Sequence, residues 1–317
     1  MPRISLTAFA LACVATLAHA DYPDKQFTFV VPFAAGSATD QLARSLGQEV
    51  TRITKQAVIV DNKPGASGFI GAEAVKKAAP DGYTVFITTN TTHAANEHLF
   101  RKIPYDPVKD YLPVTGLGKG GQIMIVNMSV PAKSVAEFIA LAKAQPGKIS
   151  FGSGSSSSRV AGEMLQQLAG IELLHVPYKS NPQAVSDLLG GQISMMITDV
   201  ATGLPQVKAG KLRALGVSSQ NRISLVADLP TISEAGLKGY EMSFWFAAYV
   251  PAGTPAPIIK RLHEILGKAT QGSAAENFRR TAGTEAFTTT PEGLVAFQEA
   301  ESQKWGRVIK AAGIQPE

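Results

Sequence analysis

Apolar positions along this chain fall alternately into short continuous runs and into three- and four-residue spacing. The elements therefore read as strand, helix, strand, helix almost throughout. Phe27 to Phe33 is an apolar strand, and Leu42, Ala43, Leu46 and Val50 mark one face of the helix that follows, read as opening at Asp40. Ala57 to Val60 has the continuous apolar character of a buried parallel strand. A turn at Asn62-Lys63-Pro64-Gly65 leads to a helix carrying Ile70, Ala74 and Val75. Pro80-Asp81-Gly82 ends that helix before the strand Tyr83 to Thr88.

The second half repeats the grammar. Gln122 to Asn127 reads as a strand, and Ser134 with Glu137 three residues on reads as a capping box. Strands follow at Ile149, Leu173 to Val176, Ile193 to Thr198 and Leu212 to Val217. The helices between them open near Arg159, at Asn181 and near Leu204. Such alternation predicts an α/β protein of parallel sheets with helices on both faces. Two stretches break it: 113–121, rich in glycine, and 218–246, with Pro230, Gly236 and Gly239 before Tyr240, Phe244, Trp245 and Phe246. They read as two crossings between two lobes, one of residues 21–121 and 246–317, the other of 122–245. The C-terminal helices, with Leu262, Ile265, Leu266, Leu294, Trp305 and Ile309, then complete the first lobe.

Ligands in open α/β sheets bind beyond the carboxyl ends of the strands. The first such end is the loop Phe33, Ala34, Ala35, Gly36, Ser37, Ala38 and Thr39, with Asp40 behind it. The second is the tip carrying Thr89, Asn90, Thr91, Thr92 and His93. A third is the serine loop, Ser153, Gly154, Ser155, Ser156, Ser157 and Ser158, followed by Arg159. Tyr178, Lys179 and Ser180 follow one further strand and Asp199 another. The two small-residue loops lie about 120 residues apart, each at a strand-to-helix junction. Each leaves the first N–H groups of a helix unpaired at the positive end of its dipole, which holds an anion without a metal. A plain turn explains either loop alone; both together point to two lobes closing on a small carboxylate. Asp199 reads equally as an N-cap and as an acceptor for a ligand N–H or O–H. Arg159 could form a bidentate carboxylate pair or point to solvent.

Other chemistry is thinly supported. Gly152-Ser153-Gly154-Ser155 is not the G-x-S-x-G of a nucleophile elbow. A serine hydrolase would need a histidine within hydrogen-bond reach of a serine in 153–158. His93 and His98 match no zinc spacing, and Gly65 to Gly71 lacks dinucleotide-loop spacing, so neither metal nor cofactor is expected.

Met1-Pro2-Arg3, the apolar run Ile4 to Leu17 and Ala18-His19-Ala20 read as an export signal over 1–20, cleaved after Ala20. The one cysteine, Cys13, lies inside it, which leaves a thiol-free mature chain of 297 residues, 21 to 317, a size suited to two domains. Losing Arg3 takes the formal charge from +5 to +4, and no basic run with interleaved aromatics marks a nucleic-acid surface. A monomer is expected.

Six segments carry a family resemblance. They are Asn62 through Gly71, Pro80-Asp81-Gly82-Tyr83-Thr84, His175-Val176-Pro177-Tyr178-Lys179, Asp187 to Gln192, Lys208 to Leu215 and Pro251-Ala252-Gly253-Thr254-Pro255. With them the chain resembles the Bug family, periplasmic substrate-binding proteins of tripartite tricarboxylate transporters. The resemblance implies a two-lobed type II (Venus-flytrap) binding-protein fold, each lobe a doubly wound, mostly parallel sheet flanked by helices. It implies a ligand carboxylate against Phe33 to Thr39, partly through water, with the serine loop and Asp199 contributed by the other lobe. Integral membrane transporter subunits are the implied partners. Presentation to a membrane sensor kinase is the alternative among binding proteins. Three departures fall in the implied pocket. Ala34-Ala35-Gly36-Ser37-Ala38 replaces Pro-Pro-Gly-Gly-Gly, Arg159 stands where histidine is usual, and Ser180-Asn181 replaces a glycine-rich junction. Among carboxylates, an aliphatic or aromatic dicarboxylate suits two anion-binding loops best.

Overall fold

A computed structural model describes residues 22–317. The predicted export signal, its cleavage site and Cys13 lie outside the described residues. In chain order the strands are β1 (Phe27–Val31), β2 (Val58–Asn62), β3 (Thr84–Thr89), β4 (Tyr111–Asn127), β5 (Ser150–Ser153), β6 (Leu174–Pro177), β7 (Met195–Asp199), β8 (Leu212–Val217), β9 (Ser243–Pro251) and β10 (Thr284–Glu285). The helices are α1 (Ala38–Thr54), α2 (Phe69–Lys76), α3 (Asn96–Leu99), α4 (Val135–Ala144), α5 (Ser156–Ala169), α6 (Asn181–Leu189), α7 (Val200–Lys208), α8 (Ala256–Ala269), α9 (Ser273–Ala282) and α10 (Pro291–Ala311). None of the described helices is long and apolar enough to cross a membrane.

The strands hydrogen-bond in the order β2-β1-β3-β9-β4-β7-β5-β6, with β8 and β10 also on β4. The long strand β4 joins two sheets. From Tyr111 to Gly121 it pairs with β9, and from Gln122 to Asn127 with β7 and β8. The stretch 113–121, which broke the alternation in the sequence, is therefore strand throughout. Its glycines hid the strand from the sequence: at Gly116 a Cβ would press into the Phe287 ring, so close packing excludes the side chains that mark strands.

Pairing is parallel where a helix intervenes, β1 with β2 and β3, β5 with β6 and β7. It is antiparallel around β4 and β9, so each sheet is mixed. Phe27, Phe29 and Ile87 bury against Leu42 and Leu46 of α1 and Leu262, Ile265 and Leu266 of α8. Ile123, Ile125 and Met196 bury against Ala184 and Leu188 of α6 and Leu204 of α7. Every one of these side chains is nearly or fully enclosed, worth about 1.5–3 kcal/mol each for the larger aliphatic and aromatic groups. The two sheets meet where Gln122, Ser218 and Met242 are bonded to one another. Ser218 N–H donates to Gln122 O at 2.8 Å, and Met242 N–H to Ser218 O at 2.8 Å.

Candidate functional site

Both small-residue loops end in the same local device. Ser37 is the N-cap of α1, its Oγ accepting from Asp40 N–H at 3.2 Å. Ser155 is the N-cap of α5, its Oγ accepting from Ser158 N–H at 3.2 Å. The helices thus open at Ala38 and Ser156, earlier than the apolar spacing indicated, because serine at the N-cap and small polar residues in the first turn carry no apolar mark. In each helix the capped N–H belongs to the third residue. The first two N–H groups, of Ala38 and Thr39 and of Ser156 and Ser157, have no intrahelical acceptor.

These two helix starts, one from each sheet, meet at a cavity. Its wall from the first sheet is Phe33, Ser37, Ala38, Thr39, Thr89 and Asn90, with Phe244 and Phe246 of β9. The second sheet adds Ser155, Ser157, Ser180, Asn181 and Asp199, and Gln122 of β4 lies between. The space is narrow: about 30 Å³ is open to the centres of water molecules, enough for about two. No lysine or arginine is among these lining residues. Positive potential there comes from helix termini and backbone, and the charged side chain is the carboxylate of Asp199.

Asp199 does both things the sequence left open. Its Oδ1 caps α7 by accepting from Thr202 N–H at 2.8 Å, and its Oδ2 accepts from Asn181 Nδ2 at 3.0 Å while the residue faces the cavity. Asn181 in turn accepts from Gly154 N–H at 3.0 Å, so Asp199 holds the serine loop in place through Asn181. At Gly154 a Cβ would run into the backbone of Ser180 and Asn181, so only glycine lets the two loops approach.

Several predicted residues are brought near the cavity but turned to other work. Asp40 accepts from Gly36 N–H at 2.9 Å and pairs with Arg44, which fixes the first loop; Ala35 and Gly36 are exposed. Ala34 N–H donates to Ser180 Oγ at 3.2 Å, from one sheet's loop to the other's. Thr92 bonds Thr88 and His93 at 2.6 and 2.9 Å, and Thr91 is fully buried; neither lines the cavity. Ser156 donates to Asn96 Oδ1 at 2.7 Å and Ser158 to Ile197 O at 2.8 Å.

Arg159 does not reach the cavity: its guanidinium pairs with Glu317 at 2.7 Å. Tyr178 is also outside it, donating to Asp187 at 2.8 Å, with its phenol pushed up to about 12 by burial. Lys179 is exposed and absent from the lining. These three follow a strand end or a helix turn but point away from the gap between the sheets, a direction that spacing alone does not give.

The serine loop does have a histidine within reach, His175 Nε2 at 2.7 Å from Ser153 Oγ. The two sit on neighbouring parallel strands, and neither lines the cavity. Burial, with the Arg159 charge adding to it, lowers the His175 imidazole to about 4, leaving a weak base at neutral pH. The pair ties β5 to β6.

Thr89 and Ser180, at strand ends that the sequence singled out, line the cavity, and so do Gln122, Asn181, Phe244 and Phe246, which were not chosen as site residues. Ser180-Asn181 carried a sign in departing from the glycine-rich junction. The aromatics carried one in clustering beside a crossing. Gln122 carried none beyond being a polar residue at the start of an apolar strand.

The family model described as "Tripartite tricarboxylate transporter family receptor" matches residues 42–314. The chain belongs to this receptor family. BugT of Bordetella pertussis is 32% identical to it over 308 residues, covering 96% of this chain and 94% of that protein. Among solved structures, Rpa4515 of R. palustris with adipate superposes with a TM-score of 0.91 at 34% identity, covering 94% of this chain and 100% of that one. MatC of Rhodopseudomonas palustris with bound malate superposes at 0.86 and 28% identity, covering 91% and 100%. The two-lobed binding-protein fold and the Bug resemblance are thereby established. The family is one of receptors.

Proposed function

We propose that this receptor captures a small organic carboxylate between its lobes in the periplasm and delivers it to the membrane subunits of a tripartite transporter. The lobes comprise residues 21–121 with 246–317, and 122–245. The observation that carries the reading is the convergence of α1 and α5, helix starts from opposite sheets, on one cavity whose lining has no cationic side chain. Such a site prefers a carboxylate, whose charge spreads over hydrogen bonds from backbone N–H and hydroxyl groups. Two helix starts suit two carboxylates, so a dicarboxylate is the preferred class. Adipate and malate in the related receptors are of that class. The protein acts as a binding monomer rather than an enzyme, exported with cleavage after Ala20.

A thermal-shift screen of the mature protein over aliphatic and aromatic mono- and dicarboxylates and acidic amino acids tests this. A ligand at a hundredfold excess over its Kd should add about 2.7 kcal/mol of stability. Stabilisation by no member of the panel would overturn the reading.

A further inference from the structure

Gln122 stands where β4 leaves one sheet and enters the other. Its neighbour Gly121 pairs with Ser243 of β9, while Gln122 itself is in register with Asp199 of β7. Its main chain is held on both sides by one residue: N–H donates to Ser218 Oγ at 2.8 Å, and O accepts from Ser218 N–H at 2.8 Å. Ser218 Oγ–H donates in turn to Met242 O at 2.6 Å. The backbone at this crossing is therefore fixed, and only the side chain is uncommitted. The residue lines the cavity and is 1% exposed, and its side-chain Oε1 has no hydrogen-bond partner.

A second orphan complements it. Asn90, fully buried, has its Oδ1 on Trp245 N–H at 3.4 Å, which leaves Nδ2 as an unpartnered donor on the same cavity. The site thus offers donors for carboxylate oxygens, from Asn90 and the helix starts, and a neutral acceptor at Gln122. Asp199, beside Gln122 in register, already accepts from Thr202, Asn181 and Thr198. A buried acceptor left without a donor is penalised, so a ligand that brings a donor to this point is favoured over one that does not.

Building on the carboxylate reading above, we propose that Gln122 is a specificity-determining residue whose Oε1 accepts from a hydroxyl on the ligand's carbon chain. The ligand class becomes hydroxylated dicarboxylates. A hydroxyl needs one acceptor, which Gln122 supplies; an ammonium needs several, and the carboxylate next to it is already occupied by three donors.

Calorimetry on the wild type, Gln122→Met and Gln122→Glu with malate and succinate, which differ by one hydroxyl, tests the assignment. The wild type should bind malate at least tenfold more tightly than succinate. Gln122→Met should erase most of that preference by weakening malate and leaving succinate within about threefold. Gln122→Glu keeps an acceptor and should keep the preference, although its charge weakens both ligands. Equal wild-type affinities would overturn the proposal. So would a parallel loss of both ligands in Gln122→Met, which would make the amide a donor to carboxylate. If neither compound binds while another carboxylate of the screen does, the hydroxyl assignment fails and the receptor reading stands. If nothing in the screen binds, the receptor reading fails first.

Discussion

The guanidinium of Arg159 lies 2.7 Å from the Glu317 carboxylate, joining the first turns of α5 to the C-terminal segment. That segment is bound to the other lobe, with Arg101 N–H donating to Glu317 O at 2.7 Å and Glu317 N–H to Leu99 O at 3.0 Å. Ser156, three residues before Arg159, donates to buried Asn96 of the same lobe. α5 is therefore fastened to the first lobe at two points beside the cavity, and neither needs a ligand. Contacts made only when the lobes are together raise apparent affinity by raising the fraction of closed protein.

Glu317→Gln should accordingly weaken every ligand by one common factor. Glu317 is largely exposed, so the factor is modest, about two- to fivefold, from a pair worth ~0.5–1 kcal/mol. Small-angle scattering of the unliganded variant should show a larger radius of gyration than the wild type, and Arg159→Glu combined with Glu317→Arg should recover both properties. A loss confined to one ligand would instead mean that Arg159 acts on the ligand itself.

Gly154→Ala should be among the costly single-methyl changes. Its new Cβ meets backbone of Ser180 and Asn181, which cannot swing aside like a side chain. Overpacking of this kind destabilises by about 1–3 kcal/mol, measured as a fall in the urea midpoint. Binding should weaken as well, because Gly154 N–H and Asn181 are part of the support of the serine loop. Wild-type stability with wild-type binding would show that the two loops separate freely.

Two histidines, His93 fully and His175 partly buried, predict the acid response. His93, stacked on Tyr249 at 3.9 Å, is lowered to about 3 by burial, and His175 to about 4 by burial and Arg159. Both stay neutral in the folded protein while the unfolded chain takes up protons below the usual 6.5. The unfolded state then binds more protons, so stability is fully present above about pH 6.5 and falls as the pH drops. The slope is about 1.4 kcal/mol per pH unit for each histidine until its folded value is reached. Denaturant titrations at pH 7, 5.5 and 4.5 should show the loss, and His93→Phe should flatten it. An unchanged slope in that variant would assign the acid sensitivity to carboxylates.

Much of the order of strands and helices was legible because it rests on patterns that burial imposes. The faces of α1, α8 and α10 were visible in spacing, and Ser134 as a cap is confirmed by its bond from Glu137 N–H at 3.2 Å. β4 was only half visible, since Gly116, Gly118, Gly120 and Gly121 replace the apolar residues that identify strands. At the site, the loops were legible and the side-chain directions were not. Arg159 and Lys179 looked like charge for an anion, yet one is paired with Glu317 and the other exposed outside the cavity. Gln122 was invisible because its position depends on a register between strands some 75 residues apart.

Those displaced cations change what Asp199 can tell about the ligand. With no lysine or arginine in the lining, Asp199 is the charged side chain there, and its oxygens already cap α7 and hold Asn181. Asp199→Ala should therefore lose stability by about 0.5–2 kcal/mol for the cap alone, and its effect on binding will mix support of the serine loop with contact to ligand. Asp199→Asn keeps the cap through its one oxygen, but its NH2 takes the place of Oδ2 and cannot accept from Asn181, so that bond is lost together with the negative charge beside the bound anion. For a dicarboxylate, hydroxylated or not, relief of repulsion offsets the loosened serine loop, and affinity should stay within about threefold. For an amino acid whose ammonium faces Asp199, it should weaken binding by about 2–5 kcal/mol through a buried cation left without its partner. Calorimetry on both variants with malate and aspartate decides the matter. The dicarboxylate outcome is expected, since every donor-bearing wall of the cavity favours anions and Asp199 is already satisfied by the protein. A large loss for malate in Asp199→Asn would show that the Asp199 charge itself is needed, either to hold Asn181 and the serine loop or to accept from the ligand hydroxyl.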